Sequence, residues 1–110
     1  MWEDILKRRS ARETVESLDD YDFNDVAGSE LDYVVAGIKK KYYPHYTDER
    51  KQRFDSRARR ASRFINQFEY IKALRILKRI KGMVEQFDLP DLDYLIELLE
   101  IKGNEPQTNS

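Results

Sequence analysis

Apolar positions recur along this chain at helical spacing, and no window alternates apolar and polar residues between turn signals, so helices are expected and strands are not. Trp2, Ile5, Leu6, Val15 and Leu18 form a broken stripe that predicts a first helix over about 2–18, with Glu3 and Asp4 in the turn where the helix dipole favours anions. Residues 19–27 read as an acidic connector pinned to the core by Tyr21, Phe23 and Val26. Ser29 reads as the cap of a second helix, with Asp32 in the capping-box position, and Leu31, Val34, Val35, Ile38 and Tyr42 follow at helical spacing. That helix should stop before Pro44, because the residue before proline disfavours helical angles.

Thr47, followed by Asp48 and Glu49, predicts the next helix start. No Gly or Pro interrupts the chain from there to Lys81, yet the apolar face moves. Phe54, Ala58, Ala61, Phe64, Ile65 and Phe68 lie within about 120° of arc. Tyr70, Ala73, Leu74, Leu77, Ile80 and Val84 lie within another arc of about 120°, centred roughly 160° away. A break near 66–69 reconciles the two, with Asn66 taking the left-handed cap conformation. Asp88 as cap, Pro90 in the first turn and Asp91 and Asp93 beside it open a last helix with a broad apolar surface of Leu92, Leu95, Ile96, Leu98, Leu99 and Ile101, which Gly103 stops. The pattern thus predicts an all-α fold, a compact bundle of four or five helices forming one domain over 1–103, with 104–110 a flexible C-terminal tail that has nothing to bury.

Charge changes the picture more than composition does. The net charge of −1 hides three blocks: 1–38 carries 4 Lys/Arg against 10 Asp/Glu, 39–81 carries 15 against 4, and 82–110 carries 1 against 7. Segregation of this kind concerns partners or internal pairing. Either the acidic end helices lie against the basic middle and neutralise it, or part of the basic face stays open for an anionic partner.

Two basic stretches carry candidate chemistry. Lys39, Lys40, Lys41, Tyr42, Tyr43, Pro44, His45 and Tyr46 interleave cations with aromatics, the combination that binds single-stranded nucleic acid by tracking phosphates and stacking on bases. The bland alternative is lysines stabilising a helix end and tyrosines closing a core edge. Arg50, Arg53, Arg57, Arg60 and Arg63 share one side of a helix, with Lys51 and Arg59 off it, while Lys72, Arg75, Lys78 and Arg79 lie opposite the second apolar arc. Both stripes suit a phosphate backbone. Their bland alternative is a solvated face paired with Glu49, Asp55 and Glu69 or with the last helix.

Other chemistries find little support. The chain has no cysteine and one histidine, which excludes disulfides, thiolate metal sites and a multi-histidine site. Asp20, Asp22 and Asn24 match the first ligands of a calcium loop, but Asp25 stands where the turn needs glycine and Leu31 where the bidentate glutamate belongs. Ser29 lies in no nucleophile turn, no phosphate-binding glycine loop occurs, and the carboxylates cluster as on a surface, so no enzyme and no cofactor are expected. No stretch is apolar enough to span a membrane, and no secretory leader is visible, so a cytoplasmic protein is expected. The segment 68–83 is amphipathic and basic, but its apolar arc is more simply used as core than on a membrane.

Trp2-Glu3-Asp4-Ile5-Leu6-Lys7 resembles the start of small, uncharacterised bacteriophage proteins. The resemblance covers six of 110 residues and implies a phage origin without implying any chemistry. The function expected is therefore non-catalytic binding of an anionic partner by the basic segment 39–81, with nucleic acid first and an acidic protein second. The alternative is a structural or protein-interaction module, such as a self-associating helical bundle.

Overall fold

The computed structural model describes residues 10–85 and 89–105. Among them are five α-helices, which we number α1 (Ala11–Ser17), α2 (Asp20–Lys41), α3 (Asp48–Asn66), α4 (Tyr70–Lys81) and α5 (Pro90–Gly103). A single 3-10 turn, Tyr43–His45, joins α2 to α3, and no strand occurs among the described residues.

Three helix starts differ from the sequence expectation. The helix carrying Val15 starts only at Ala11: Ser10 is extended and its hydroxyl accepts the Glu13 N–H at 3.1 Å, a strong N-cap that ends the expected longer helix at this point. Trp2, Ile5 and Leu6, and the hexapeptide that contains them, lie outside the described residues. The supposed connector 19–27 is helical. Asp19 caps α2 by accepting the Asp22 N–H at 2.7 Å, and Phe23, Ala27, Leu31, Val34 and Ile38 form one unbroken buried stripe from there. Gly28 and Ser29 look like punctuation in the sequence but sit inside this helix. A mid-helix glycine costs about 1 kcal/mol relative to alanine, less than the burial that the stripe supplies. Tyr21, expected to point inward, is 75% exposed. At α5 the residue in the cap position is Leu89, with no side-chain cap bond, rather than Asp88, which is outside the described residues.

The break between α3 and α4 falls where the shift of apolar face requires it, but the left-handed residue is Phe68 (φ 61°), not Asn66. The Glu69 N–H reaches the Phe64 carbonyl at 2.8 Å and the Phe68 N–H reaches the Ile65 carbonyl at 3.0 Å. Those two bonds define a Schellman turn with phenylalanine where glycine normally stands. A side chain in that conformation costs on the order of 1–2 kcal/mol. Two rings compensate by packing perpendicular to Phe68, Tyr21 at 5.7 Å and Tyr70 at 6.4 Å between centroids.

Buried residues from all five helices merge into one core. Helix α5 is its centre, packing on α1, α2 and α4. Its Leu92, Leu95, Ile96, Leu98 and Leu99 are all buried, as befits a helix apolar over most of its circumference. Polar fasteners edge the core. Thr14 and Tyr94 share a hydroxyl bond of 2.9 Å between α1 and α5, and Tyr70 donates to Asn24 Oδ1 at 2.7 Å between α4 and α2. Lys102 lies over the Phe23 ring and bonds Asp20 at 2.7 Å, with Glu105 3.4 Å away. Of the expected tail, Asn104 donates its N–H to the Glu100 carbonyl and Glu105 engages Lys102, and 106–110 lie outside the described residues.

Two outcomes follow from this packing. At Phe68 the usual preference for alanine over glycine should invert: Phe68→Gly keeps the turn and sheds its strain, whereas Phe68→Ala loses the rings and keeps it. Urea titrations should find Phe68→Gly more stable than Phe68→Ala by about 1 kcal/mol, and the opposite order would contradict the turn. The Tyr70 hydroxyl is pushed up to about 12, first by burial and then by the charges of Asp20 and Glu105. Its folded value thus exceeds the ordinary 10, so its contribution is complete below pH 10 and is lost as pH rises toward 12. Across that window the parent chain should lose about 2 kcal/mol more stability than Tyr70→Phe; parallel losses would contradict the assignment.

Candidate nucleic-acid interface

The basic rows expected on 50–79 are brought together by the α3–α4 turn. On α3, Arg50, Arg53, Arg57 and Arg60 fall in an arc of roughly 80° directly beside the buried Phe54, Ala61 and Ile65. On α4, Lys72, Arg75 and Arg79 span roughly 60°, with Lys78 next to them, opposite the buried Ala73, Leu77 and Ile80. Two contacts show that these rows flank one seam. Arg57 Nη1 donates to the Arg79 carbonyl at 3.5 Å, and Lys72 Nζ lies 5.7 Å from the Phe64 ring centre. Residues 57 and 79 are each eleven positions from Phe68, so the two helices run antiparallel with their cations along a shared outer face.

Most of this face has no counterion. Arg53 pairs with Glu49 at 3.2 Å and Lys72 with Glu69 at 3.1 Å, both within a turn of their own position. Arg50, Arg57, Arg60, Arg75, Lys78 and Arg79 form no ion pair among the described residues. Arg50 lies instead over the Tyr46 ring at 5.0 Å, and Arg63, another exposed member of the row, over Phe64 at 5.9 Å. Burial lowers the Arg57 value first, and the charges of Arg53, Arg79, Arg50 and Arg60 lower it further. The pairing of the last helix with the basic segment runs through Lys81 and Asp93, 2.6 Å apart, beyond the arginine rows. Glu97 and Glu100 are exposed on α5, which packs on the core side of α4.

The second stretch, Lys39 to Tyr46, is differently disposed. Its tyrosines sit half-buried at the junction of α2, α3 and the chain after α4. Tyr43 donates to Asp55 Oδ2 at 2.8 Å, Tyr46 donates to the Met83 carbonyl at 2.5 Å, and the Tyr42 hydroxyl accepts the Glu85 N–H at 3.4 Å. Tyr43 and Tyr46 also pack on the buried Phe54 ring. The bond to Asp55 raises the Tyr43 value, with burial and the charges of Asp55 and Asp48 adding to it, and burial raises that of Tyr46 against the opposing Arg50. Lys39 reaches Asp55 at 3.8 Å, Lys41 lies over Tyr42, and Lys40 is exposed. These aromatics fasten the α2–α3 corner. Asp55 therefore pairs with Lys39 and Tyr43 rather than with an arginine.

Other sites are sparse. Asp20, Asp22 and Asn24 stand on the first turns of α2, not in a loop, and no cluster of acidic or histidine side chains among the described residues has metal-binding geometry. No helix among them is long and apolar enough to cross a membrane. The sequence reading missed the exposed ring at Phe68, which it assigned to the apolar arc. The lack of any glycine at a required helix break was the signal available. No family model, curated protein or solved structure matches the chain.

Crowded like charges make a checkable statement about salt. Arg57→Met keeps the apolar stem and removes one charge from the cluster, so at low ionic strength it should be as stable as the parent or more so, by up to about 1 kcal/mol. The gap should close by 0.5 M NaCl in thermal melts, because exposed charges are then screened. A variant less stable at low salt would show that Arg57 is neutralised.

Proposed function

We propose that this protein is a non-catalytic binding protein whose α3–α4 face engages the phosphate backbone of a nucleic acid. The observation that carries the reading is the row of Arg50, Arg53, Arg57 and Arg60 on one side of α3, joined to α4 where Arg57 donates to the Arg79 carbonyl, with Glu49 the one carboxylate paired to it among the described residues. A chain with 21 Asp and Glu has acids enough to neutralise this face, yet α5 packs its apolar side on the hairpin instead. Arginine suits the role, since its planar fork meets phosphate oxygens in pairs. Lys72, Arg75 and Lys78 extend the track along α4, whereas Lys39 lies on the other shoulder of α3 beside Asp55. The acidic N-terminal part of α2 repels a misplaced backbone and so sharpens the choice of face.

Anisotropy titrations with a fluorescent 20-mer at 50 and 200 mM salt provide the test. Binding at low salt should weaken by at least tenfold over that range, as counterion release requires for several phosphate contacts. Exchanging Arg53, Arg57, Arg60 and Arg79 for Gln together should lower the log–log salt slope by about 3–4 on duplex. Absence of binding at 50 mM salt, with a concentration-dependent dimer in sedimentation, would instead favour a self-associating interaction module.

A further inference from the structure

Phe68 is the least economical residue on the molecule. It occupies a left-handed turn position suited to glycine, and its ring is 43% exposed where a buried phenylalanine would serve the core. The ring is nevertheless packed against two others. Tyr21 meets it at an interplanar angle of 88° and Tyr70 at 84°, and Tyr70 is itself buried and tied to Asn24 on α2. Strain that persists because its surroundings over-determine it is a mark of functional positions.

The ring also stands at one end of the basic track. It sits at the tip of the α3–α4 hairpin, five residues after Arg63 and four before Lys72, the two cations that flank Phe64. The aromatics expected to stack on bases, Tyr42, Tyr43 and Tyr46, are engaged at the α2–α3 corner, whereas Tyr21 and Phe68 are among the most exposed large rings on the described surface. The acids of the first turn of α2, Asp20 and Asp22, neighbour Tyr21, so a phosphate chain would arrive from the Lys72 side.

We infer that Phe68, braced by Tyr21, is a stacking platform for an unpaired nucleobase, which makes single-stranded nucleic acid the preferred ligand of the face. The inference rests on the nucleic-acid reading above. Cations along α3 and α4 hold the backbone, and the ring takes the face of a base that a duplex would keep in its own stack.

The test compares a labelled single-stranded 20-mer with the same sequence as a duplex, on the full chain at 100 mM salt. The parent should prefer the single strand. Phe68→Gly, which suits the turn, should reduce the single-strand to duplex affinity ratio about tenfold, the loss expected for one stacked base. Phe68→Trp should retain the preference and show quenching of its indole on the single strand. An unchanged ratio in Phe68→Gly would overturn the platform while leaving the basic face standing. No binding of either probe by the parent would overturn both.

Discussion

Packing of α5 against the inner side of α4 decides which way the basic rows of the α3–α4 hairpin face. Both surfaces at that contact are apolar: Leu77 and Ile80 on α4, Leu92, Leu95 and Leu99 on α5, all buried. Because the hairpin turns its apolar faces toward the core, its cations are forced outward. Because α5 is apolar over most of its circumference, Asp93, Glu97 and Glu100 share one narrow strip of it, and of these Asp93 meets the hairpin at Lys81, the end of α4. Charge neutralisation between the ends and the middle of the chain would require α5 to present that strip to the arginine rows, and so to expose several leucines. Each such side chain is worth about 1.5–3 kcal/mol buried, whereas an exposed ion pair contributes about 0–1 kcal/mol, so burial wins.

The Schellman turn at 64–69 makes this arrangement available. A straight helix over 48–81 would carry its two apolar arcs on nearly opposite sides and could satisfy only one. Turning the chain back sets α4 beside α3, joins the apolar arcs and aligns the basic rows along one seam. Phe68 bears the conformational cost, and its perpendicular contacts with Tyr21 and Tyr70 offset it.

Much of the fold was legible in the sequence because burial follows helical spacing: Thr47, Pro44, Pro90 and the shift of face near 66–69 each mark a boundary that the structure has. What misled was local punctuation. Gly28 and Ser29 resemble a helix start, but the Phe23–Ala27–Leu31 register runs through them, and tertiary burial overrides a weak propensity. Asn66 is the better left-handed former in isolation, yet the hydrogen-bond pattern places that conformation two residues later. The basic rows were visible as spacing, but whether the acidic ends covered them was left open. Their convergence was not visible, since it depends on which shoulder of α4 meets α3. The roles of the tyrosines depend equally on a contact with Met83 and Glu85 that is distant in sequence.

The central claim is that the guanidinium groups of the α3–α4 face stay open after folding and take phosphate. Side-chain Nε–H resonances of arginine report this directly when followed by NMR as a short oligonucleotide is added. The account predicts shifts concentrated at Arg53, Arg57, Arg60 and Arg79, with Arg12 on α1 unmoved. Shifts spread evenly over all arginines, or none at saturating oligonucleotide, would contradict it.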